Sequence, residues 1–309
     1  MSRYLGKRIV QGIIALFLAV TIIFFLGRVS GNPLDAMLSP DATKEQYEAM
    51  SKYLGLDKPI LQQYLLFVSH FVRGELGDSI FFRKPVVELI TKRFPATFQL
   101  SVIAFLLSIL LAVPVGVLAA IKRGTWHDAG SKGFAVLGQA MPKFWLGILL
   151  IEIFAVQLGV LPAGGYGGIQ YWVLPATTQA YHSTAAVLRL TRSSMLDVLG
   201  TDYVRLARIK GISELQVILK HALRNAMIPV ATYGAVIFAH FLMGSVVTET
   251  VFTWPGIGLL AQQAVMNRDF PLMQGLLVLF VGLFVIFNLL VDILYLYLDP
   301  RIRYVRRNI

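Results

Sequence analysis

Residues 202–230 read DYVRLARIKGISELQVILKHALRNAMIPV, a polar and strongly basic island between very hydrophobic segments. Gly211 breaks a first short helix, and Ser213-Glu214-Leu215-Gln216 has the Ser-x-x-Gln pattern that caps a second one. On that second helix Leu215, Ile218, Leu219 and Ala222 fall on one face, with Lys220 and Arg224 on the other. Pro229 marks the return to apolar sequence. Two readings of this helical hairpin stay open on periodicity alone. It is either an amphipathic loop lying on a leaflet with its cations near lipid phosphates, or a docking surface offered to a soluble partner.

The flanks say what carries the hairpin. The chain has 309 residues, 56% hydrophobic and only 15% charged, with a mean hydropathy of +0.68. Soluble domains carry nearer a quarter charged residues, so a multi-spanning membrane protein is the expected class. The net charge of +11 has its explanation in basic inner loops, and no nucleic-acid partner is expected. Cysteine is absent, which excludes disulfides, thiolate metal sites and a cysteine nucleophile.

Six segments have the length to cross a bilayer: 9–27, 99–121, 134–158, 172–191, 229–250 and 275–298. The fourth is the least apolar, interrupted by Pro175, Gln179 and His182. Arg3, Lys7 and Arg8 precede an uncharged run too long for a secretory signal, so 1–27 reads as a retained N-terminal anchor helix. Short segments rich in Lys and Arg, among them Lys122, Arg123, Lys132 and the hairpin, place both termini in the cytoplasm. Residues 28–98 then form a small outer-face loop subdomain. There Thr43-Lys44-Glu45-Gln46 resembles a capping box opening a helix that ends near Gly55, and Ile60–Phe71 is a second apolar-periodic stretch. Residues 99–298 make the transmembrane core, including the hairpin 202–224, and 299–309 a cytoplasmic tail.

The hairpin resembles the cytoplasmic EAA loop of ABC importer permeases, in the form used by the dipeptide/oligopeptide/nickel permease family. Of the general Glu-Ala-Ala-x3-Gly core, Ala207 and Gly211 are present. The peptide-permease version stands in Ala207–Gly211 and in His221-Ala222-Leu223-Arg224-Asn225-Ala226. Further similarities run along the chain in order: Gly31-Asn32-Pro33, Leu54–Pro59, Gly74-Glu75-Leu76-Gly77-Asp78-Ser79, Arg189–Met195, Glu249–Gly258 and Asp299-Pro300-Arg301-Ile302-Arg303. The resemblance implies an all-α membrane protein with six transmembrane helices, the type I ABC importer permease fold, with a cytoplasmic coupling-helix hairpin. It implies a transport subunit of the bacterial inner membrane, paired with a second, homologous permease. Two ABC ATPase subunits, which hold the ATP and Mg, would dock on the hairpins, and an extracytoplasmic solute-binding protein would deliver short peptides or related small solutes. The ATPase-coupling residues it implies are Arg205, Ala207, Arg208, Lys210, Gly211, Ser213, Glu214, His221, Leu223 and Arg224.

Ionisable residues inside spans are costly and usually face protein or a water-filled cavity. Glu152 is a candidate for the cavity wall, against a subunit contact or a shallow outer position. Asp292 is a pore candidate or the partner of an interfacial arginine, and His240 a pore candidate or a packed residue. Glu249, Trp254, Pro255 and Gly256 belong to a segment expected to meet the binding protein or to gate the outer end, with an interfacial anchor as the simplest role for Trp254. Pro114, Pro142 and Pro175 are expected to loosen or kink their helices. No phosphate loop, His-Glu-x-x-His or Gly-x-Ser-x-Gly motif occurs. The chain is therefore expected to bind no cofactor and catalyse nothing itself. An ion-coupled secondary transporter would need inverted repeats and paired acids at midplane, and a membrane-embedded enzyme a nucleophile–base pair. The sequence shows none of these clearly.

Overall fold

A computed structural model describes the backbone of residues 2–29, 34, 42–53 and 55–298. Apart from an isolated bridge between Asp78 and Pro85, the regular elements among these residues are helical: α1 Ser2–Val29, α2 Lys44–Tyr53, α3 Ile60–Val72, α4 Val86–Ile121, α5 Trp126–Ala140 and α6 Lys143–Ile151. Residues Glu152–Gln157 continue α6 as a π-helix. There follow α7 Gln170–Leu199, α8 Asp202–Ile209, α9 Glu214–Gln216 with the π-helical Val217–Leu223, α10 Arg224–Gly244, α11 Val246–Val251, α12 Ile257–Met266 and α13 Phe270–Leu298. Gly31-Asn32-Pro33, Leu54, the segment 299–309 and the side chain of Asp292 lie outside the described residues.

The chain divides into two compact units, Met1–Thr97 with Pro255–Leu289, and Phe98–Trp254 with Leu290–Ile309. In the first, Val86, Leu89 and Ile90 of α4 pack with Ile257, Leu260 and Ala264 of α12 and with Leu272 and Leu276 of α13. The capping box forms as the sequence proposes. The Thr43 N–H donates to Gln46 Oε1 at 3.0 Å, and the Gln46 N–H donates to Thr43 Oγ1 at 3.3 Å. Helix α2 closes at Gly55, whose φ is +65°, and α3 matches the second periodic stretch.

In the second unit α7 is the hub, packed by α5 and α10 around Ala104, Ala112, Ala135, Ala180, Val187, Leu188, Val230, Ile237 and Phe241. Four of these nine are alanine. Lipid tails are as apolar as leucine, so helices in a bilayer gain by close van der Waals approach, which small residues allow. Gly138 shows the limit: a Cβ there would lie 2.5 Å from the Cβ of Ala185.

Four helices among the described residues are long and apolar enough to cross a membrane: Gly6–Phe25, Val86–Ile121, Glu214–Met243 and Phe270–Val291. A fifth crossing counts only if α5 and the α6 segment are taken together, and these meet at 102°. The expected third span, 134–158, is thus two helices that break at Pro142, where a kink is expected from the sequence. Pro142 at the start of α6 has no N–H to continue α5, and its neighbour Met141 is extended at ψ 121°. The fourth segment is a continuous helix of 30 residues, about 45 Å long, but buried Thr178, Gln179, Ser183 and Thr184 keep its hydropathy low. Pro229 does not open a helix; it sits inside α10.

Candidate functional site: the basic hairpin and the polar positions of the bundle

The hairpin turns by a Schellman closure. The Ile212 N–H donates to the Ala207 carbonyl at 3.3 Å, and the Gly211 N–H to that of Arg208 at 2.9 Å, with Gly211 at φ +74°. This closure wants glycine at its left-handed position, and Ala207 beneath it is buried with Val204 and Val217. The Ala-x3-Gly pattern thus has a local cause. Arg208 bridges the turn to Glu214 with two bonds, of 2.7 and 3.1 Å. The pairing pushes the Glu214 carboxyl below its ordinary range and the Arg208 guanidinium up. The Asn225 amide donates to the Tyr203 hydroxyl at 2.8 Å and ties α8 to the start of α10. Arg205 lies 3.6 Å from Asp202, both well exposed.

Two expectations fail here. Ser213 is the N-cap of α9, yet its side chain makes no capping bond. The four apolar residues of the second helix also split. Ile218 and Ala222 are buried, while Leu215 (67% exposed) and Leu219 face outward. The wider π turn over Val217–Leu223 shifts the register that an α-helical stripe assumes. The outcome is an exposed apolar set, Leu206, Ile209 (81% exposed), Leu215 and Leu219, with Lys210, Lys220 and Arg224 exposed beside it. His221 and Leu223 are half-buried. The sequence offers Arg208 as a contact for a partner; the structure spends its charge inside the hairpin. From Glu214 to Met243 the helix runs unbroken, so the hairpin is the end of a spanning helix.

The described pore candidates each have their own local surroundings. Glu152 is exposed at the start of its π-helix and accepts from Gln157 Nε2 at 3.2 Å. His240 is exposed on α10, with Nδ1 2.9 Å from the Val236 carbonyl oxygen. Glu249 is fully buried and accepts from Ser245 Oγ at 2.6 Å, while Thr248 donates to Gln179 at 2.8 Å, a polar seam between α11 and α7. Gly256 caps α12 in extended geometry, and Pro255 is half-buried before it. Trp254 is no interfacial anchor. It is fully buried, its ring centroid 4.9 Å from that of Tyr166 and 4.8 Å from that of Trp172. Glycine permits the packing: the Gly165 N–H donates to the Phe252 carbonyl at 2.8 Å, and a Cβ on Gly164 would meet that oxygen at 2.5 Å.

Sequence reasoning missed two carboxylates. Asp128, at the start of α5, is buried and held by Arg192 of α7 at 2.6 and 3.1 Å, by the Gly124 N–H at 3.1 Å and by Lys132 at 3.0 Å. The Arg192 guanidinium, the Gly124 N–H and Lys132 hold its carboxyl far below the usual carboxylate range. Asp269 is fully buried at the start of α13. Its Oδ1 accepts from the N–H groups of Leu272 and Ile80 at 3.2 and 3.3 Å. Its Oδ2 accepts from the Phe81 N–H at 3.1 Å and from the Ser79 hydroxyl. A signal existed for Asp269, since Asp before an apolar helix is an N-cap pattern.

Residues 112–304 match the family described as binding-protein-dependent transport system inner membrane component, and residues 1–101 match its N-terminal companion. The chain belongs to this family. It is an ABC importer permease of the peptide/oligopeptide group, a multi-pass inner-membrane transport subunit. It is 40% identical, over 98% of its own length and all of theirs, to the glutathione transport system permease protein GsiC of Escherichia coli strain K12 and of Shigella dysenteriae serotype 1. Two solved structures share the fold. One is an amino acid ABC transporter with histidines (TM-score 0.53, 17% identity, 68% of this chain and 93% of that one). The other is the inward-facing MetNI methionine ABC transporter (TM-score 0.50, 16% identity, 71% and 97%).

Proposed function

We propose that this permease forms half of the translocation pathway of an ATP-driven importer for short peptides or glutathione-like solutes, delivered by an extracytoplasmic binding protein. Two ATPase subunits seat on the hairpins of this chain and of a second, homologous permease. ATP and Mg belong to those subunits, and both termini of this chain lie in the cytoplasm. The observation that carries the reading is the hairpin itself: a preformed elbow, closed by the left-handed turn at Gly211, showing four apolar side chains at the end of a helix unbroken to Met243. A helix is stiff, and an apolar anchor seated in a partner's groove passes rigid-body movement along it. The similarity to glutathione permeases supports a peptide-like cargo.

The test is uptake of labelled glutathione and dipeptides into proteoliposomes holding the assembled complex with its binding protein. Uptake should stop when the ATPases carry a hydrolysis-dead substitution and should persist with an uncoupler at constant ATP. Uptake that follows an ion gradient without hydrolysis would refute the reading.

A further inference from the structure

The buried carboxylate of Asp269 joins two exposed turns of the first unit. Its bonds to Ser79, Ile80 and Phe81 fix residues 80–84 beside residues 265–268, the turn that ends α12. The Ser79 hydroxyl also accepts from the Phe82 N–H at 3.0 Å, and the Ser79 N–H reaches the Lys84 carbonyl at 2.9 Å, so the first turn is closed on itself. The second is a Schellman closure like that of the hairpin, with the Asp269 N–H on the Ala264 carbonyl and the Arg268 N–H on that of Val265.

Arginine occupies the left-handed position in both turns, Arg83 at φ 52° and Arg268 at φ 51°. Glycine takes that conformation without strain, as it does at Gly211. The backbone therefore has no use for arginine at either place, and the side chain is what the position supplies. Residues 80–84 and 265–268 hold Arg83, Lys84 and Arg268, all exposed; the acids next to them are exposed Asp78 at the foot of the first turn, Glu88, which is paired with Lys92, and the buried Asp269. Among the cations Phe81 (56%), Val265 and Met266 (72%) stand exposed. Aromatic residues, methionine and arginine are the types enriched where proteins meet, and a surface held rigid in advance loses less on binding.

We infer that these clasped turns are a docking surface for an acidic protein face, that of the solute-binding protein. Asp269 serves as the positioning residue that presents the three cations. The inference rests on the proposed function and adds to it a place and a charge.

Its test is titration of a purified glutathione- or peptide-binding protein onto the assembled complex in nanodiscs, reading stimulated ATPase. Glycine at both strained positions, Arg83→Gly with Arg268→Gly, relieves the backbone and removes two charges. The half-saturating concentration should rise about tenfold at low salt, with basal and maximal rates unchanged and the thermal midpoint equal or higher. The triple variant Arg83→Gln, Lys84→Gln, Arg268→Gln should behave alike and lose most of the salt dependence. Wild-type half-saturation in both variants would overturn the inference. So would a shift present only in nanodiscs containing phosphatidylglycerol and absent in pure phosphatidylcholine, which would assign the cations to lipid phosphates. A wild-type complex that no binding protein stimulates would instead remove the proposed function beneath it.

Discussion

Gly211 is where strain can be set against size. Its φ is +74°, and a Cβ built on it meets nothing within 4 Å. Substitution there creates no clash; it forces an L-residue into the left-handed region. For alanine that costs about 1 kcal/mol, and for β-branched valine about 2 kcal/mol. At 1.4 kcal/mol per factor of ten, valine shifts the closed hairpin about thirtyfold towards open forms. The Arg208–Glu214 bridge does not hold it shut, because side chains 42% and 55% exposed contribute only about 0.5 kcal/mol after solvent screening. Asparagine, which tolerates the left-handed conformation, should behave almost as glycine does. In proteoliposomes, transport per ATP hydrolysed should therefore fall in the order Gly211, Gly211→Asn, Gly211→Ala, Gly211→Val, with equal amounts of permease in the membrane. Normal coupling in the valine variant refutes the reasoning. Asparagine failing as badly as valine does so too, since size would then govern.

Gly138→Val should lower the thermal midpoint by an amount equivalent to about 1–3 kcal/mol of overpacking against Ala185. Gly133→Val, where a Cβ meets open space, serves as the control; equal effects in a differential scan would contradict the α5–α7 packing. Trp254→Ala should cost about 3–5 kcal/mol, as expected for a fully buried aromatic, and a loss below about 1 kcal/mol would return the ring to a peripheral role. Asp128 titrates below the ordinary carboxylate range in the folded chain. Its stabilisation is therefore complete above the unfolded value of about 4 and drains away as pH falls towards the folded one. The gap in thermal midpoint between the native chain and Asp128→Asn should hold from neutral pH down to about 5 and narrow below about 4; a gap independent of pH would sever the link to Arg192.

What the sequence disclosed was local. The Thr43–Gln46 capping box, the Gly211 turn and the Pro142 break each depend on residues a few positions apart, and each is found where the pattern puts it. The hairpin's partner-facing side was half legible. Its helices follow from spacing, but a π turn is invisible to a 3.6-residue period, which groups Leu215 and Leu219 with Ile218 and Ala222. Pairings between distant residues were not legible. Asp128 meets Arg192 across 64 positions and Asp269 meets Ser79 across 190. Trp254 looks like an interfacial ring until Tyr166 and Trp172 close over it. Hydropathy alone does not single out α7, a continuous 30-residue helix over the fourth expected segment, because polar Thr178, Gln179, Ser183 and Thr184 are buried beside its apolar core residues.

The most direct test uses the absence of cysteine from this chain. A single Ile209→Cys substitution places a thiol at one of the most exposed apolar positions of the elbow. In sealed, right-side-out vesicles holding the assembled complex without other reactive thiols, a membrane-impermeant maleimide should leave the introduced thiol unlabelled until the vesicles are opened. A short bifunctional reagent should then join it to an ATPase subunit, with a yield that changes when ATP is added. Labelling from outside in the sealed vesicles, or no cross-link to the ATPase in an actively transporting complex, would contradict the account.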